Sequence, residues 1–510
     1  MNGGAGDEIA IVGMACRVPG AASPDALWRN VCEGVTGIRR FPAPPGIVPV
    51  FGHLDGLELF DAGFFGIDGD TARLMDPQQR MFLEVCWHGL EDAGVDPGQG
   101  GRQIGVFGGG APVRYQSEMP LNALDHLATR VAYHLGLSGP AVAVQSACSS
   151  SLVAVCLAAQ SLNDFRCDVA LAGGAAVVSI VEGGYVHRDG AMTSPDGTFL
   201  PLDDRTTGSV FGNGAGVVVL KRLADAEADN DFIHGVLRGW AVGNDGSERA
   251  GYTAPGMEGQ AAAMLEALRT AEIEAGTIGL AELHAAGTRL GDAVELAALA
   301  RAFKVDTDRR GFCAAGAAKA TTGNLDAAAG VVGLIKATLA VREGVLPGLT
   351  GFGVPNSEVD WPANPCYVPK SAEEWVAPVR RALVNSFGLG GTNASVVVEQ
   401  GPYRTVSQDA PATLTLSARS PAALTAMRER LREHLLAHPA LALTDVAHTL
   451  RVGRRPMPHK WSAACTDLVH ATSCLESPES LAAEELSLDA RRVPLPGYPF
   501  ERSRYWVDEP

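Results

Sequence analysis

Residues 141–158, AVAVQSACSSSLVAVCLA, constrain the fold of this chain more than any other stretch. The short run 141–144 is apolar and rich in valine, which is typical of a buried strand. After Gln145 and Ser146 a second apolar run begins, and its spacing suits a helix. The sequence therefore predicts a strand, a sharp turn and a helix, with Cys148 at the junction.

This junction has consequences for the thiol of Cys148. Unpaired backbone N–H groups and the positive end of the helix dipole favour thiolate over thiol there, and the same N–H groups can hold an oxyanion. Ala147 and the serines Ser149, Ser150 and Ser151 are small, so a bulky acyl thioester can approach the sulfur. An isolated cysteine is more often buried and inert. The assignment of a nucleophile therefore depends on the rest of the chain.

Composition limits the classes of function. The net charge of −17 argues against nucleic-acid binding, because phosphate contacts need clustered Lys and Arg. No stretch approaches the roughly 20 uninterrupted apolar residues of a membrane span, and no secretion signal opens the chain. Ten scattered cysteines without a CxxC pair indicate a reducing cytoplasm and no zinc site. We expect a cytoplasmic protein that binds neither membrane nor metal.

A faint internal repeat divides the chain. Residues 208–220, GSVFGNGAGVVVL, and 386–398, SFGLGGTNASVVV, share a Phe-Gly turn, a glycine-rich loop and a Val-rich strand. The repeat suits a duplicated α/β domain whose two halves meet around one site. With the division near Asp231, the sequence predicts an N-terminal half over 7–230 and a C-terminal half over 231–400.

The composition shifts beyond Gln400 toward Arg, His, Pro and Ala. Residues 414–417 are predicted to form a strand and residues 421–438 an amphipathic helix. We expect residues 401–510 to form a small α/β linker domain that ends in a tail.

The turn ACSSS after a Val-rich strand resembles the active-site turn of the β-ketoacyl synthases, in particular the ketosynthase domains of modular polyketide synthases. The resemblance covers most of the chain from 8 to 399 and implies a thiolase-like fold of duplicated α/β/α/β/α layers. Further matches follow in the family's order: IAIVGMACRVPG (9–20), MDPQQR (75–80), SPDGTFLPLDDRTTGSVFGNGAGVVVLKRL (194–223), HAAGTRLGD (284–292), GNLDAAAGVVGLIK (323–336) and NSFGLGGTNASVVVE (385–399).

The resemblance implies roles for three residues. The family holds an acyl group on one cysteine and uses two histidines to stabilise enolate and alkoxide oxygens. Cys148 matches the cysteine and His284 the first histidine, whereas Asn324 stands at the position of the second. Asparagine can donate and accept hydrogen bonds but cannot shuttle a proton. A Cys-His-Asn set nevertheless works in the chalcone synthases and the acyl-priming ketosynthases, so condensation stays open.

Five more residues match supporting positions of the family. Lys319 matches a lysine that contacts the network around the second histidine, and could organise Asn324 and a nearby carboxylate. Phe387 matches the gatekeeper phenylalanine beside the cysteine. The glycines of the same loop let the backbone approach the substrate, and an N–H here is the expected second oxyanion donor; they are Gly388, Gly390 and Gly391.

Departures from the family cluster at the site and predict a retuned pocket. Only residues 108–121 separate a buried strand from the next helix, where the family has a longer excursion that helps to form the acyl pocket and the dimer interface. The substituted positions are Gln145, Ser146, Phe211, Asn213, Ala285, Ala286 and Ser395.

The resemblance also implies partners. No cofactor is expected to be bound, and the substrate arrives on the phosphopantetheine of an acyl or peptidyl carrier protein, which must find a local basic patch. Ketosynthases dimerise by pairing the strand before the active-site turn, and residues 141–144 are apolar enough to be buried on both faces.

The final stretch, VPLPGYPFERSRYW (493–506), resembles a tail that follows the acyltransferase of polyketide synthases and wraps back over the ketosynthase. No acyltransferase-sized segment precedes it, so we expect a ketosynthase that stands alone with its linker. The arginines around this tail are expected either to be solvated or to dock the carrier; they are Arg491, Arg492, Arg502 and Arg504.

Three functions are compatible with these observations. In the first, Cys148 accepts an acyl chain that then closes an intramolecular carbon–carbon bond with release, as in the bicyclases of salinosporamide-type γ-lactam-β-lactones. The second is decarboxylative Claisen extension by a Cys-His-Asn set. The third is a non-catalytic partner like the chain-length factors, although these typically lack the cysteine. The altered second histidine, the stand-alone form and the short loop favour the first.

Overall fold

Strands and helices alternate along the chain in a computed structural model that describes residues 8–99, 101–115, 119–178, 183–402, 407, 409–477 and 490–507. The strands are β1 (Ile9–Arg17), β2 (Ile38–Arg40), β3 (Val50–Gly52), β4 (Leu59–Phe60), β5 (Ile104–Gly110), β6 (Ala141–Val144), β7 (Val169–Ala176), β8 (Gly214–Arg222), β9 (Gly235–Asn244), β10 (Leu280–Glu282), β11 (Cys313–Gly316), β12 (Val345–Leu346), β13 (Cys366–Tyr367), β14 (Glu373–Glu374), β15 (Arg381–Phe387), β16 (Thr392–Gln400), β17 (Ala412–Ala418), β18 (His459–Cys465) and β19 (Ser503–Arg504).

Five of the described α-helices begin after a side-chain N-cap, at Ser23, Asp68, Asp76, Ser420 and Asp467. The α-helices are α1 (Pro24–Glu33), α2 (Gly69–Leu74), α3 (Pro77–Asp92), α4 (His126–Leu135), α5 (Ser150–Asn163), α6 (Leu223–Ala228), α7 (Met257–Thr270), α8 (Arg289–Phe303), α9 (Lys319–Thr322), α10 (Ala329–Glu343), α11 (Pro421–Ala437), α12 (Leu443–Val452) and α13 (Leu468–Glu476). None of the helices in the described part of the chain has both the length and the apolar character to span a bilayer.

The main sheet contains the predicted duplication. Its strand order is β13-β11-β10-β15-β16-β9-β1-β8-β7-β5-β6. From β1 outward, two antiparallel pairings (β8, β7) precede two parallel ones (β5, β6). From β9 outward, β16, β15, β10 and β11 follow the same pattern. The repeated segments end in β8 and β16, which hold equivalent positions, so the sequence repeat marks a structural one.

Two helices lie between the halves. α5 and α10 contact each other and the strands of both halves, and nearly all their side chains are buried. A helix that is apolar on all sides must be buried in this way. Ser151 Oγ accepts a 3.0 Å hydrogen bond from the N–H of Val331 and joins them. With α3 and α4 outside one half and α7 and α8 outside the other, the layers are α/β/α/β/α.

The C-terminal segment contains the predicted strand and helix, as β17 and α11. β17 pairs with β18, and α11, α12 and α13 pack around this two-stranded sheet. The domain boundaries near residues 230 and 400 stay predictions.

The tail runs back over the N-terminal half. β19 pairs with β4, and Arg80 donates a 2.6 Å hydrogen bond to the carbonyl of Tyr505. Arg502 binds the carboxylate of Glu84 at 3.0 Å, and Arg492 pairs with Asp231. Two of the four tail arginines therefore hold the tail in place. Arg492 is largely buried, whereas the side chain of Arg502 keeps 30% of its surface exposed beside Glu84.

The first testable prediction concerns the buried carboxylate of Asp231. Its side chain is 1% exposed and forms ion pairs with both Lys221 and Arg492. Breaking a buried ion pair leaves charges uncompensated, so Asp231→Asn should lower the free energy of unfolding by on the order of 3 kcal/mol. Urea unfolding followed by circular dichroism measures the change. Asp225→Asn, whose carboxylate is half exposed beside Arg222, should change it by less than about 1 kcal/mol.

The second prediction concerns strand β6 and the assembly of the chain. The strand lies at the edge of the main sheet and Val142 is 38% exposed, so burial on both faces is wrong for the single chain. An open apolar edge is a template for pairing. We expect a homodimer that joins β6 of two copies.

Sedimentation at micromolar concentration tests the dimer. Val142→Lys should shift the chain toward monomer, because it brings like charges together across the two-fold axis. Val469→Lys, at an exposed position on α13, should leave the dimer intact. A monomeric wild-type chain would contradict the expectation.

Candidate active site

Cys148 lies in a 3-10 turn, Ala147–Ser149, between β6 and α5, as the sequence predicts. Ala147 has a φ of 54°, a left-handed conformation that side chains other than glycine rarely adopt and that often occurs at functional sites. Ser150 Oγ donates to the Ala147 carbonyl at 2.7 Å and accepts from the N–H of Ser146 at 2.9 Å. The turn is therefore held by its own serines.

The serines of the turn pack against the protein, and the expectation that their small size leaves room for the substrate stays a prediction. Ser149, Ser150 and Ser151 are all fully buried. Ser149 Oγ donates to the Ser146 carbonyl at 2.8 Å, so its hydroxyl also stabilises the turn. Small size here serves close packing of the turn against its neighbours.

A cavity of about 500 Å³ opens beside the turn. Cys148, His284 and Phe387 lie together in its lining, as predicted. Asp245 and Glu295 are the acidic residues of the lining, and no Lys or Arg is present among the described residues that form it. The cavity can therefore take an uncharged acyl chain more readily than an anionic one.

His284 is held in one orientation and one tautomer. Its Nδ1 accepts a 3.2 Å hydrogen bond from the N–H of Phe387, so the proton of the neutral ring is on Nε2. Burial, followed by the charge of Lys319, lowers the pKa of His284 well below its ordinary value. Neutral His284 therefore offers Nε2–H as a hydrogen-bond donor near Cys148.

Two buried carboxylates that sequence reasoning missed support this segment. Glu295 accepts hydrogen bonds from the N–H groups of His284 and Ala285, both at 2.7 Å. Asp292 accepts from the N–H of Gly287 at 3.1 Å. Burial raises the pKa of Glu295 to about 7 and that of Asp292 to about 6. Two acids three residues apart near the start of α8 were the available signal.

Lys319 is buried, and its ammonium donates to the carbonyl of His284 at 2.5 Å. Burial lowers the pKa of Lys319, while Cys148 and then the carboxylate of Glu295 oppose the shift. The lysine thus organises His284 and nearby carboxylates, and its bond to the His284 carbonyl takes the place of the expected one to Asn324.

Asn324 is fully buried, and no atom of it belongs to the cavity lining. Its Nδ2 donates to Ser209 Oγ at 3.2 Å, and its Oδ1 accepts from the N–H of Asp326 at 3.1 Å. Each end of the amide therefore makes one hydrogen bond within the protein, out of its two N–H donors and two lone pairs. A catalytic role for Asn324 stays a prediction.

Asp326 contacts the sulfur, and sequence reasoning missed it. The Sγ of Cys148 donates to Asp326 Oδ1 at 3.4 Å. Burial, followed by the charge of Asp326, raises the pKa of Cys148 well above its ordinary value, although Lys319 lowers it in part. The expected thiolate is therefore wrong for the resting site, which holds a thiol. The helix dipole is outweighed because the sulfur is 6% exposed.

The glycine loop packs against the turn of Cys148, and Gly388 also lines the cavity, so its approach to the substrate stays a prediction. A Cβ on Gly388 would lie 2.2 Å from the Ser146 carbonyl oxygen, and Gly391 has a φ of 87°. The N–H of Gly388 donates to the Thr392 carbonyl at 2.8 Å, while that of Phe387 is bound to His284. Either must leave its partner to serve as an oxyanion donor. Gly390 is the most open of the three, since its nearest neighbour is Tyr252 Oη at 3.5 Å.

Few of the departures from the family reach the cavity. Ala286 lines it, whereas Asn213 accepts a 2.8 Å hydrogen bond from the N–H of Val178, and Ser395 donates to Asn385 at 2.9 Å. Residues 116–118 of the short segment 108–121 lie outside the described residues, and its described residues do not belong to the lining. Fewer of the substituted residues therefore line the cavity than we expected.

Family models and known proteins match most of this chain. A model of the beta-ketoacyl synthase N-terminal domain matches residues 6–226, its C-terminal domain matches 234–352, and a CurL-like polyketide synthase C-terminal model matches 412–475. The chain is 40% identical to a phenolphthiocerol/phthiocerol polyketide synthase protein of Mycobacterium tuberculosis, over 93% of this chain and 35% of that protein. It is 39% identical to erythronolide synthase EryA3 of Saccharopolyspora erythraea, over 89% and 15%. The chain spans about a third or less of these relatives.

Solved structures agree with the family match. Ketosynthase twelve of the bacillaene polyketide synthase from Bacillus amyloliquefaciens has a TM-score of 0.91 at 31% identity, covering 98% of this chain and 100% of that one. The module 6 ketosynthase of the bacillaene synthase from Bacillus subtilis has a TM-score of 0.89 at 32% identity, with the same coverage. The predicted thiolase-like fold is confirmed.

The third prediction is that an acyl group loads covalently onto Cys148. Incubation with an acyl-carrier thioester should add one acyl mass in intact-protein spectrometry, because the thiol faces an open cavity. Cys148→Ala should abolish the adduct, whereas Cys156→Ala, on the buried side of α5, should keep it. Loading that persists without the Cys148 sulfur would refute the assignment.

Proposed function

The chain belongs to the β-ketoacyl synthase family, and within it we propose that this chain takes an acyl chain from a carrier protein onto Cys148 and catalyses intramolecular carbon–carbon bond formation with cyclising release. The observation that carries the proposal is the composition of the cavity. It places the thiol in one lining with the neutral imidazole of His284, whereas Asn324 does not belong to this lining and is bound to Ser209.

The first step is acyl transfer. The Cys148 sulfur attacks the carrier thioester, and the carrier's phosphopantetheine thiol leaves. The turn at the start of α5 supports this step, since the Cys148 N–H faces its own sulfur and can bind the oxyanion. An acyl or peptidyl carrier protein is the partner that the proposal requires.

The second step closes the ring. In an aminoacyl-derived β-keto chain, the aminoacyl α-carbon gives its proton to a carboxylate of the cavity and attacks the ketone, whose oxygen becomes an alkoxide. The same carboxylic acid later returns this proton to the leaving sulfur of Cys148. A single donor such as His284 Nε2–H can stabilise the alkoxide oxygen. The alkoxide then attacks the thioester carbonyl, the carbon–sulfur bond breaks, and a β-lactone leaves with Cys148 restored. No carboxylate is lost.

Decarboxylative extension fits the cavity less well. It places a malonyl carboxylate in the site and requires its thioester oxygen to be held while the enolate forms. The Nδ2 of Asn324 is bound to Ser209, so the second donor is turned away. Asp326 adds a carboxylate at the sulfur, and like unit charges 4 Å apart repel by about 4 kcal/mol at an effective dielectric constant of 20.

Claisen extension by Cys148, His284 and Asn324 is the second candidate. The identity of about two-fifths with polyketide synthase proteins favours it. It requires Asn324 to leave Ser209 and reach the substrate, which is a definite structural difference between the two candidates. A non-catalytic role is disfavoured by the cavity at Cys148.

Carbon dioxide release distinguishes the candidates and is the fourth prediction. Malonyl-carrier protein should release negligible carbon dioxide with or without an acyl group on Cys148, because Asp326 lies at the sulfur and Asn324 does not line the cavity. A β-ketoamide-type aminoacyl thioester should be converted to a cyclic product, detected by mass spectrometry. The matched control is Cys148→Ala with the same substrates.

Asn324→His refines the result. If the cavity also excludes malonyl, this variant should not raise carbon dioxide release much, whereas a large rise would identify Asn324 as the only defect. Release at ketosynthase-like rates by the wild-type chain, coupled to chain extension, would overturn the cyclisation proposal in favour of the second candidate.

A further inference from the structure

One carboxylate touches the reactive sulfur. Asp326 begins the 3-10 turn Asp326–Ala328, which precedes α10, and this turn contacts the turn of Cys148. Oδ1 of Asp326 accepts the thiol proton of Cys148 at 3.4 Å, within the range for a sulfur donor. The two groups come from opposite halves of the duplicated fold, so the contact exists only once the halves are packed.

The backbone of Asp326 is held in an uncommon conformation. Its φ is 45°, in the left-handed region that side chains other than Gly, Asn and Asp seldom adopt. Its N–H donates to Asn324 Oδ1 at 3.1 Å, and Asn324 is fixed by Ser209. The surroundings therefore fix the conformation that directs the carboxylate to the sulfur.

Among the carboxylates of the site, Asp326 is the one hydrogen-bonded to the sulfur. Glu295 lines the same cavity, but its two oxygens accept from the N–H groups of His284 and Ala285. His284 has Nδ1 bound to the N–H of Phe387 and its proton on Nε2. Lys319 is bound to the His284 carbonyl, and its charge lowers the pKa of Cys148 only in part. Arg114 is the basic residue whose charge acts on Asp326, and it lowers a pKa that burial raises. A thiol in this setting needs a base when it attacks.

We propose that Asp326 is the general base and then the general acid of acyl transfer to Cys148. Its carboxylate takes the thiol proton as the sulfur bonds to the carrier thioester carbonyl. The carboxylic acid then returns that proton to the phosphopantetheine sulfur as the carbon–sulfur bond to the carrier breaks. The proton and electron pairs balance without another reactant. The proposal rests on the loading step of the proposed function and is independent of the later fate of the acyl chain.

Asp326→Asn tests the role, because it keeps the shape and tolerates the left-handed backbone but cannot accept the proton. Two reactions of Cys148 are compared at pH 7: acyl transfer from hexanoyl-S-N-acetylcysteamine, followed by intact mass, and alkylation by iodoacetamide. Asp308→Asn is the control, since it removes the same charge from an exposed loop outside the cavity. Thermal unfolding verifies that both variants are folded.

The two reactions should change in opposite directions. Acyl transfer should slow by about 100-fold or more in Asp326→Asn, the usual range for loss of a general base. Alkylation should become faster, because removing the negative charge lowers the pKa of Cys148. Asp308→Asn should change neither rate. Acyl transfer that is unchanged or accelerated along with alkylation would overturn the proposal, since the carboxylate would then act only through its charge.

The wild-type pH profile gives a test that does not depend on the variant. With Asp326 as base, acyl transfer should fall as the pH drops through the pKa of its carboxyl and should level off near neutral pH. A rate that instead follows thiolate formation into the alkaline range would overturn the role of Asp326. A wild-type chain that is never loaded would overturn the proposed function itself, which separates the two failures.

Discussion

The packing of α5 against α10 is the constraint on which the rest of the structure depends. Both helices are apolar on nearly every side, so each must be enclosed, and they are enclosed by lying together between the two halves of the main sheet. A Cβ on Gly330 would lie 2.8 Å from that of Leu152, so the approach is close. Because each helix is preceded by a 3-10 turn, this packing also brings Cys148 and Asp326 into contact.

The two halves of the duplicated fold therefore carry different chemical groups at equivalent positions. The turn before α5 carries a thiol and the turn before α10 carries a carboxylate, whereas β10 is followed by His284. Equivalent positions in a duplicated fold lie symmetrically about the same centre. The two halves thus supply different groups to one cavity without any long connecting loop.

Burial sets the electrostatics of this centre. The side chains of Lys319, Glu295 and Asp292 are buried. The lysine donates to a backbone carbonyl, and the two carboxylates accept from backbone N–H groups. Desolvation favours the neutral forms of His284 and Cys148, so the resting site is a thiol beside a neutral imidazole. Such a site supports transfer and closure of an uncharged chain, which is the basis of the proposed cyclisation.

The ordered motifs identify the family by resemblance. The duplication and the junction that carries Cys148 are predicted from apolar periodicity and glycine-rich turns, because these are local signals. The resemblance also identifies His284 and Phe387, which the structure joins in one cavity. Only the tertiary structure decided the direction in which Asn324 faces, the protonation of Cys148 and the contact with Asp326. These depend on burial and on groups 178 residues apart in the chain, which no local pattern encodes.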